Sequence, residues 1–282
     1  MYQSKKVLVT GAGGYIGRHV VKTLLDQGIR VLAVDLTTDN VDKRAETLQL
    51  DIFSGSKNIY EEIGSPDICL HLAWKDGFLH NSSAHIDMLS SHYVFLTNML
   101  SGGLKHLAVM GTMHEIGYYE GEINDDTPTN PLSLYGVAKN SLRQSLSILL
   151  KDSNVVFQWL RAFYIYGDDI NNHSVFTKII ESENKNLVSF PLTSGTNKCD
   201  YISIDELARQ ITAAITQTRV TGIINCCSGH ATPLKDIVND FVTRNNFKIK
   251  LQWGVYPVRA YDSPAIWGNN RNISDILHNS AV

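Results

Sequence analysis

The chain has no apolar stretch long enough to cross a bilayer and no run of basic residues. The first absence excludes a helical membrane span. The second, with a formal net charge of −3, argues against a nucleic-acid surface. Only four cysteines occur, Cys69, Cys199, Cys226 and Cys227, and none belongs to a CxxC pair. That pattern excludes the usual zinc and dithiol sites and fits reduced thiols in a cytosolic protein. No other His/Cys grouping has ligand spacing, so no metal is expected. A signal-peptide pattern is also missing ahead of the first apolar segment. A cytoplasmic location is therefore expected, and the sequons at Asn81, Asn172 and Asn272 carry no glycan. What remains is ordinary: 282 residues, 43% hydrophobic and 19% charged, enough to bury a sizeable core.

The first positive signal lies near the N-terminus. The apolar run Val7-Leu8-Val9-Thr10 leads into Gly11-Ala12-Gly13-Gly14, and a helix pattern opens at Tyr15-Ile16-Gly17. This order suits a dinucleotide pyrophosphate: Gly11 for a tight turn, Gly14 for close approach of the backbone, Gly17 for helix packing on a sheet. The helix start offers free N–H groups and the positive dipole end to an anion. A glycine-rich turn with no ligand is the competing reading. Val31-Leu32-Ala33-Val34-Asp35 supplies a second strand ending in an acid, at the distance expected of a ribose-diol partner. Asp35 predicts a preference for NAD(H) over NADP(H), because a 2′-phosphate would meet a like charge. Lys43 and Arg44 would soften that preference if their loop folds back, and an acid that merely caps the next turn is the alternative.

A second constellation adds chemistry. Tyr135 and Lys139 stand four apart at the start of a helix pattern that continues through Leu142, Leu146 and Leu149, so both point to one side. A free phenol titrates near ~10, and bringing it down by about three units takes roughly 4 kcal/mol. A neighbouring ammonium and an oxidised nicotinamide ring are the candidates to supply this. Upstream, Leu107 to Thr112 reads as a strand that delivers a hydroxyl to the carboxyl edge of a sheet, where ligands of open α/β sheets bind.

These residues resemble an extended short-chain dehydrogenase/reductase of the nucleotide-sugar epimerase/dehydratase/reductase group. The resemblance spans nearly the whole chain and rests on an ordered set. That set is the TGxxGxxG start, His71-Leu72-Ala73, Thr112, the YxxxK pair, Leu160-Arg161 with Tyr166-Gly167, and Asp200-Tyr201-Ile202 with Asp205-Glu206-Leu207-Ala208. It implies a catalytic triad of Thr112, Tyr135 and Lys139. It also implies a cofactor site formed by Gly11, Gly14, Tyr15, Ile16, Gly17, Asp35, Asp51, Ile52, Leu72 and Ala73 together with Tyr135 and Lys139. A homodimer is implied, built on the YxxxK helix and the helix through Tyr93, Leu96, Met99 and Leu100.

Departures from the family pattern narrow the reaction. Where a 4,6-dehydratase carries Thr-Asp-Glu, this chain has Thr112-Met113-His114, and methionine cannot act as a general acid. His114 either moves a proton or hydrogen-bonds a sugar hydroxyl, or it merely fills the wall as a neutral imidazole. Cys199 stands where the family often places an arginine for the substrate diphosphate, with Lys198 beside it. Arg259 is the alternative phosphate clamp, or a surface residue paired with Asp262. Asn172 and His173 precede an apolar helix start where relatives touch the sugar or nucleotide, or belong to an asparagine-rich solvent loop. The resemblance implies an NAD(P)-dependent nucleotide-sugar oxidoreductase acting at C4. Reduction of an NDP-4-keto-6-deoxyhexose for surface-polysaccharide synthesis is the first expectation. A 4-epimerase with retained NAD is the alternative, and a non-catalytic nucleotide sensor a remote one.

Alternating strand and helix patterns predict an α/β fold, a Rossmann-type doubly wound parallel sheet with a small, discontinuous C-terminal substrate-binding lobe. Strands are read near 6–10, 30–34, 46–50, 67–72, 106–111, 155–160 and 222–227. The expected division is 1–161 plus 204–228 for the nucleotide-binding domain and 162–203 plus 229–282 for the lobe.

Overall fold

The computed structural model describes residues 5–167, 174–257 and 263–280. Seven parallel strands form the large sheet. In spatial order they are Gly222–Cys226, Val156–Ala162, His106–Thr112, Ile68–His71, Lys6–Thr10, Arg30–Asp35 and Glu46–Gln49. The inner strands read as nearly unbroken apolar runs because helices cover both faces. Alternation along Lys6–Thr10 divides the core: Val7 and Val9 face one layer, Leu8 the other.

On the first face the helix Tyr15–Asp26 buries Gly17, Val20, Val21 and Leu24, one stripe at helical spacing, against the sheet and the helix Ile204–Ile215. On the second face Leu89–Gly102 contributes Phe95, Leu96 and Met99, and Leu134–Leu150 contributes Leu142 and Leu146. The chain leaves Lys6–Thr10 toward Arg30–Asp35 on one side, then resumes at Ile68–His71 on the other. That reversal opens a crevice at the carboxyl ends of the strands.

A second, four-stranded sheet pairs Thr232–Pro233, Lys198–Cys199, Ala265–Gly268 and Gly121–Ile123. Asp200 stitches it together by accepting from Ser228 N and Oγ, Gly229 N and Gly268 N at 2.7–3.1 Å. Two parts of the expected domain division differ here. Gly121–Ile123 lies inside the interval assigned to the nucleotide domain, yet pairs with Ala265–Gly268 in the small sheet. The helix Arg271–Ser280, expected in the lobe, instead buries Ile273 and Ile276 in the core of the large sheet against Ile204–Ile215. Its apolar residues stand at 273, 276 and 277, one helical stripe that needs a core to cover it. All four cysteines are buried and none forms a disulfide among the described residues, and burial pushes the Cys69 and Cys226 thiols up to about 12.

Candidate active site

A cavity of about 1660 Å³ lies over the carboxyl ends of the central strands, between the sheet and the lobe. Its first wall is backbone. Gly11 adopts φ +68°, and a Cβ there would stand 2.6 Å from Ala73 N; one at Gly17 would stand 2.2 Å from the Gly11 carbonyl. Turn, helix start and the segment after Ile68–His71 therefore meet with no room for side chains. Gly14 precedes the helix in extended backbone, without a side chain to cap it. Asp35 completes the wall: its Oδ2 accepts from Gly13 N at 2.9 Å and its Oδ1 from Leu36 N at 2.7 Å. Each oxygen keeps acceptor capacity for a ribose hydroxyl, so capping the turn and facing a ligand are compatible. A dinucleotide fits this bare, anion-ready turn with an acid at its side. Arg44 is engaged elsewhere, 2.7 Å from Asp42 and 2.8 Å from Asp26.

Thr112, Tyr135 and Lys139 form the seam between this wall and the lobe. Thr112 ends its strand and caps the short 3₁₀ turn Met113–Glu115, accepting from His114 N at 3.3 Å. Tyr135 opens the helix Leu134–Leu150, which Ser133 caps through Gly136 N at 3.1 Å; Tyr135 N donates to the His80 carbonyl at 2.9 Å. Lys139 Nζ donates to the Met110 carbonyl at 2.7 Å. Burial pushes the Lys139 ammonium down to about 7, against the attraction of Glu115. Burial holds the Tyr135 phenol above its ordinary value; the hydrogen bond with Thr112 opposes this and the Glu115 charge adds to it. The expected lowering of the phenol by its lysine is thus outweighed by desolvation in the protein alone. A protonated phenol results, the form needed to donate to an oxyanion.

The sugar-side wall is built from side chains. His114 and His80 place their rings 4.3 Å apart, and His80 stacks on Tyr135 with centroids 5.4 Å apart and planes at 12°. Burial, then His80, pushes His114 down to about 3, so both imidazoles are neutral near pH 7. Met113 carries no proton to give. Glu115 is fully buried beneath the site and accepts from Thr112 N and Trp159 Nε1, both at 2.8 Å. Its other oxygen lies 3.4 Å from Arg143 Nε and 3.5 Å from Arg161. Among the described lining residues the acids are Asp35 and Asp51, both on the cofactor side.

Every expected cofactor residue lines this cavity, as do Thr112 and His114. Asn172, His173 and Arg259 lie outside the described residues. Cys199 also lines it, buried where a cation was sought, while Lys198 is exposed. Sequence reading missed Trp74 and His80. Trp74 directly follows the His71-Leu72-Ala73 element, which was signal enough; His80 reaches the site through a loop with no pattern of its own.

A model of the NAD dependent epimerase/dehydratase family matches residues 7–227. The dTDP-6-deoxy-L-talose 4-dehydrogenase (NAD(+)) of Aggregatibacter actinomycetemcomitans is 42% identical over 267 residues, 93% of this chain and 98% of that one. In fold, the chain resembles a UDP-glucose 4-epimerase at TM-score 0.84 and 19% identity, over 96% of this chain and 90% of that one. It also resembles the dTDP-glucose 4,6-dehydratase of Streptomyces venezuelae at TM-score 0.80 and 16% identity, over 96% and 90% of the two chains. The glycine turn, the Thr112–Tyr135–Lys139 seam and these matches agree: the chain belongs to the NAD-dependent epimerase/dehydratase family.

Proposed function

We propose that this protein is an NDP-sugar oxidoreductase that interconverts a 6-deoxyhexose nucleotide and its 4-keto form, with a dTDP-linked sugar as first candidate and NAD(H) preferred over NADP(H). One observation carries the choice of reaction: the sugar half of the cavity presents no carboxylate among its described residues. Dehydration needs an acid and a base there, whereas hydride exchange at C4 needs one proton relay. The 42% identity to a 4-dehydrogenase supports the same choice. The Asp35 carboxylate and the engaged Arg44 support NAD(H).

Bound NAD(H) supplies hydride chemistry at the seam, held by the glycine turn, Asp35, Leu72, Ala73 and Lys139. Tyr135 gives its proton to the C4 oxygen during reduction and takes it back during oxidation. The Thr112 hydroxyl orients that oxygen. Lys139 favours the phenolate once Tyr135 has reacted. His114 hydrogen-bonds the sugar as a neutral imidazole. Incubation with a panel of nucleotide sugars, including 4-keto-6-deoxy compounds, tests this by cofactor absorbance. One-for-one consumption of reduced cofactor is the expected result. Interconversion of sugars without net consumption indicates an epimerase, and binding without turnover a sensor.

We further propose a cytoplasmic homodimer that makes deoxysugar for surface polysaccharide. Leu96, Met99, Leu142 and Leu146 are buried in the chain's own core. Between the same two helices, however, Ile86, Leu89, Tyr93 and Ile148 line a shallow groove, and Ile148 is 78% exposed. A second copy would cover it. A monomeric mass in light scattering at micromolar concentration would overturn this.

A further inference from the structure

The wall beside Lys139 is aromatic. Trp74 lines the cavity and holds its ring centroid 3.8 Å from Lys139 Nζ. The ring is itself fixed. Trp74 Nε1 donates to His85 Nδ1 at 3.0 Å; an indole only donates, so His85 carries its proton on Nε2 and gives it to the Leu79 carbonyl at 3.0 Å. His92 stacks on Trp74 with centroids 4.2 Å apart and planes at 18°. His92 Nδ1 lies 2.9 Å from His71 Nε2, and His71 Nδ1 lies 2.8 Å from Thr10 Oγ1. A row of contacts thus runs from the first strand of the sheet to the active-site lysine.

The titratable groups around Lys139 leave the indole a distinct part. His71 and His92 are held far below their ordinary values by burial, then by neighbouring positive charge that includes the ammonium itself. His85 stands at the Nε1 edge of Trp74, and Tyr135 one turn back is protonated. Glu115 is the anion that attracts the ammonium, and it is already engaged with Arg143 and Arg161. Lys139 is 2% exposed, so water does little for its charge. The negative face of an indole attracts an ammonium most strongly where water is excluded.

We propose that Trp74 is a positioning residue for Lys139: its π face keeps the ammonium charged and in place. This rests on the Tyr135–Lys139 reading above, and nothing in that reading assigns Trp74 a part.

The test compares Trp74→Leu, Trp74→Phe and protein carrying a fluorinated tryptophan at position 74, which keeps the shape and weakens the negative face. The first readout needs no substrate: thermal stability of the cofactor-free protein against pH. Lys139 titrates in the folded protein below its unfolded value of ~10.4, so unfolding takes up a proton between the two and stability rises with pH across that window. In Trp74→Leu the rise begins about one pH unit lower, a tenfold loss of proton affinity or ~1.4 kcal/mol. Trp74→Phe retains most of the wild-type curve, the fluorinated protein falls between, and the shift disappears in a Lys139→Met background. The second readout is the alkaline limb of turnover, which moves down with it in Trp74→Leu while the sugar KM stays within twofold. An unmoved stability curve in the leucine and fluorinated proteins overturns the proposal, as does a loss of turnover equal at every pH. If Trp74→Leu does not fold, the fluorinated protein decides. Failure to turn over any nucleotide sugar would overturn the proposed function and leave the first readout intact.

Discussion

The two walls of the cavity are made of different material. The cofactor wall is main chain and strand ends: Gly11, Gly14, Gly17 and Ala73 present backbone, and Asp35 is held by two backbone N–H groups. The sheet sets its shape, and side chains have little say in it. The sugar wall is side chains, His80 and His114 carried on a loop and a short turn and Tyr164 on the small strand Tyr164–Tyr166, with centroids 4.3 and 6.3 Å apart across His114. A fold preserves the first kind of wall across many chemistries and varies the second. One half of a site can therefore be shared with remote structures while the other is particular to this chain.

Mutations break or sharpen that contrast. Tyr135 sits on the seam and belongs to neither wall. Tyr135→Phe should cut turnover by about 10²–10⁴-fold while cofactor and sugar affinities stay nearly constant, measured by steady-state kinetics and cofactor titration. Turnover within a few-fold of wild type would remove it as the acid. Beneath the sugar wall, Glu115→Ala leaves Arg161 buried without its anion; urea unfolding should show a loss of about 3–5 kcal/mol. A cost below ~1 kcal/mol would mean that the turn is held by other contacts. On the cofactor wall, Asp35→Ser should narrow the NAD(H)-over-NADP(H) preference about tenfold and leave the sugar KM alone. A wild-type preference for NADPH would defeat the assignment outright.

The smallest effect belongs to His114→Asn: a KM change of a few-fold, with no titrating group lost from the pH–rate profile between about pH 5 and 8. Loss of such a group would show that His114 moves a proton. Its folded pKa, pushed down to about 3, lies below the unfolded value, so unfolding takes up a proton between them. That stabilisation is complete above about pH 6.5 and is lost as pH falls toward 3. Melting temperatures measured down that range should fall more gently in His114→Asn than in wild type.

The inner strands of the sheet were legible because they are apolar runs, and the cofactor wall because its glycines are spaced by backbone geometry. Thr112, Tyr135 and Lys139 were legible as a strand end and a one-turn helical pair. His80 was not: it reaches Tyr135 across 55 residues of sequence through a loop held by hydrogen bonds to Tyr135 N and Leu134 N. Glu115 was not legible because nothing in the sequence shows that the carboxylate next to His114 is wholly buried beneath the site, between Arg143 and Arg161. The Arg271–Ser280 helix was placed in the lobe by its neighbours in the chain, although its own stripe of isoleucines pointed to a core.

That helix has a bearing on how the molecule comes to exist. Ile273 and Ile276 pack over the helix Ile204–Ile215 and the edge strand Gly222–Cys226, so the first core is completed only by the last described helix of the chain. During translation Ile204–Ile215 and that edge strand must wait with an apolar flank uncovered while the rest of the lobe is made. Contacts of such sequence separation fold late and leave nascent chains open to misassembly. A chaperone that shields this late edge of the sheet should therefore raise the yield of native protein more than one acting on the finished chain.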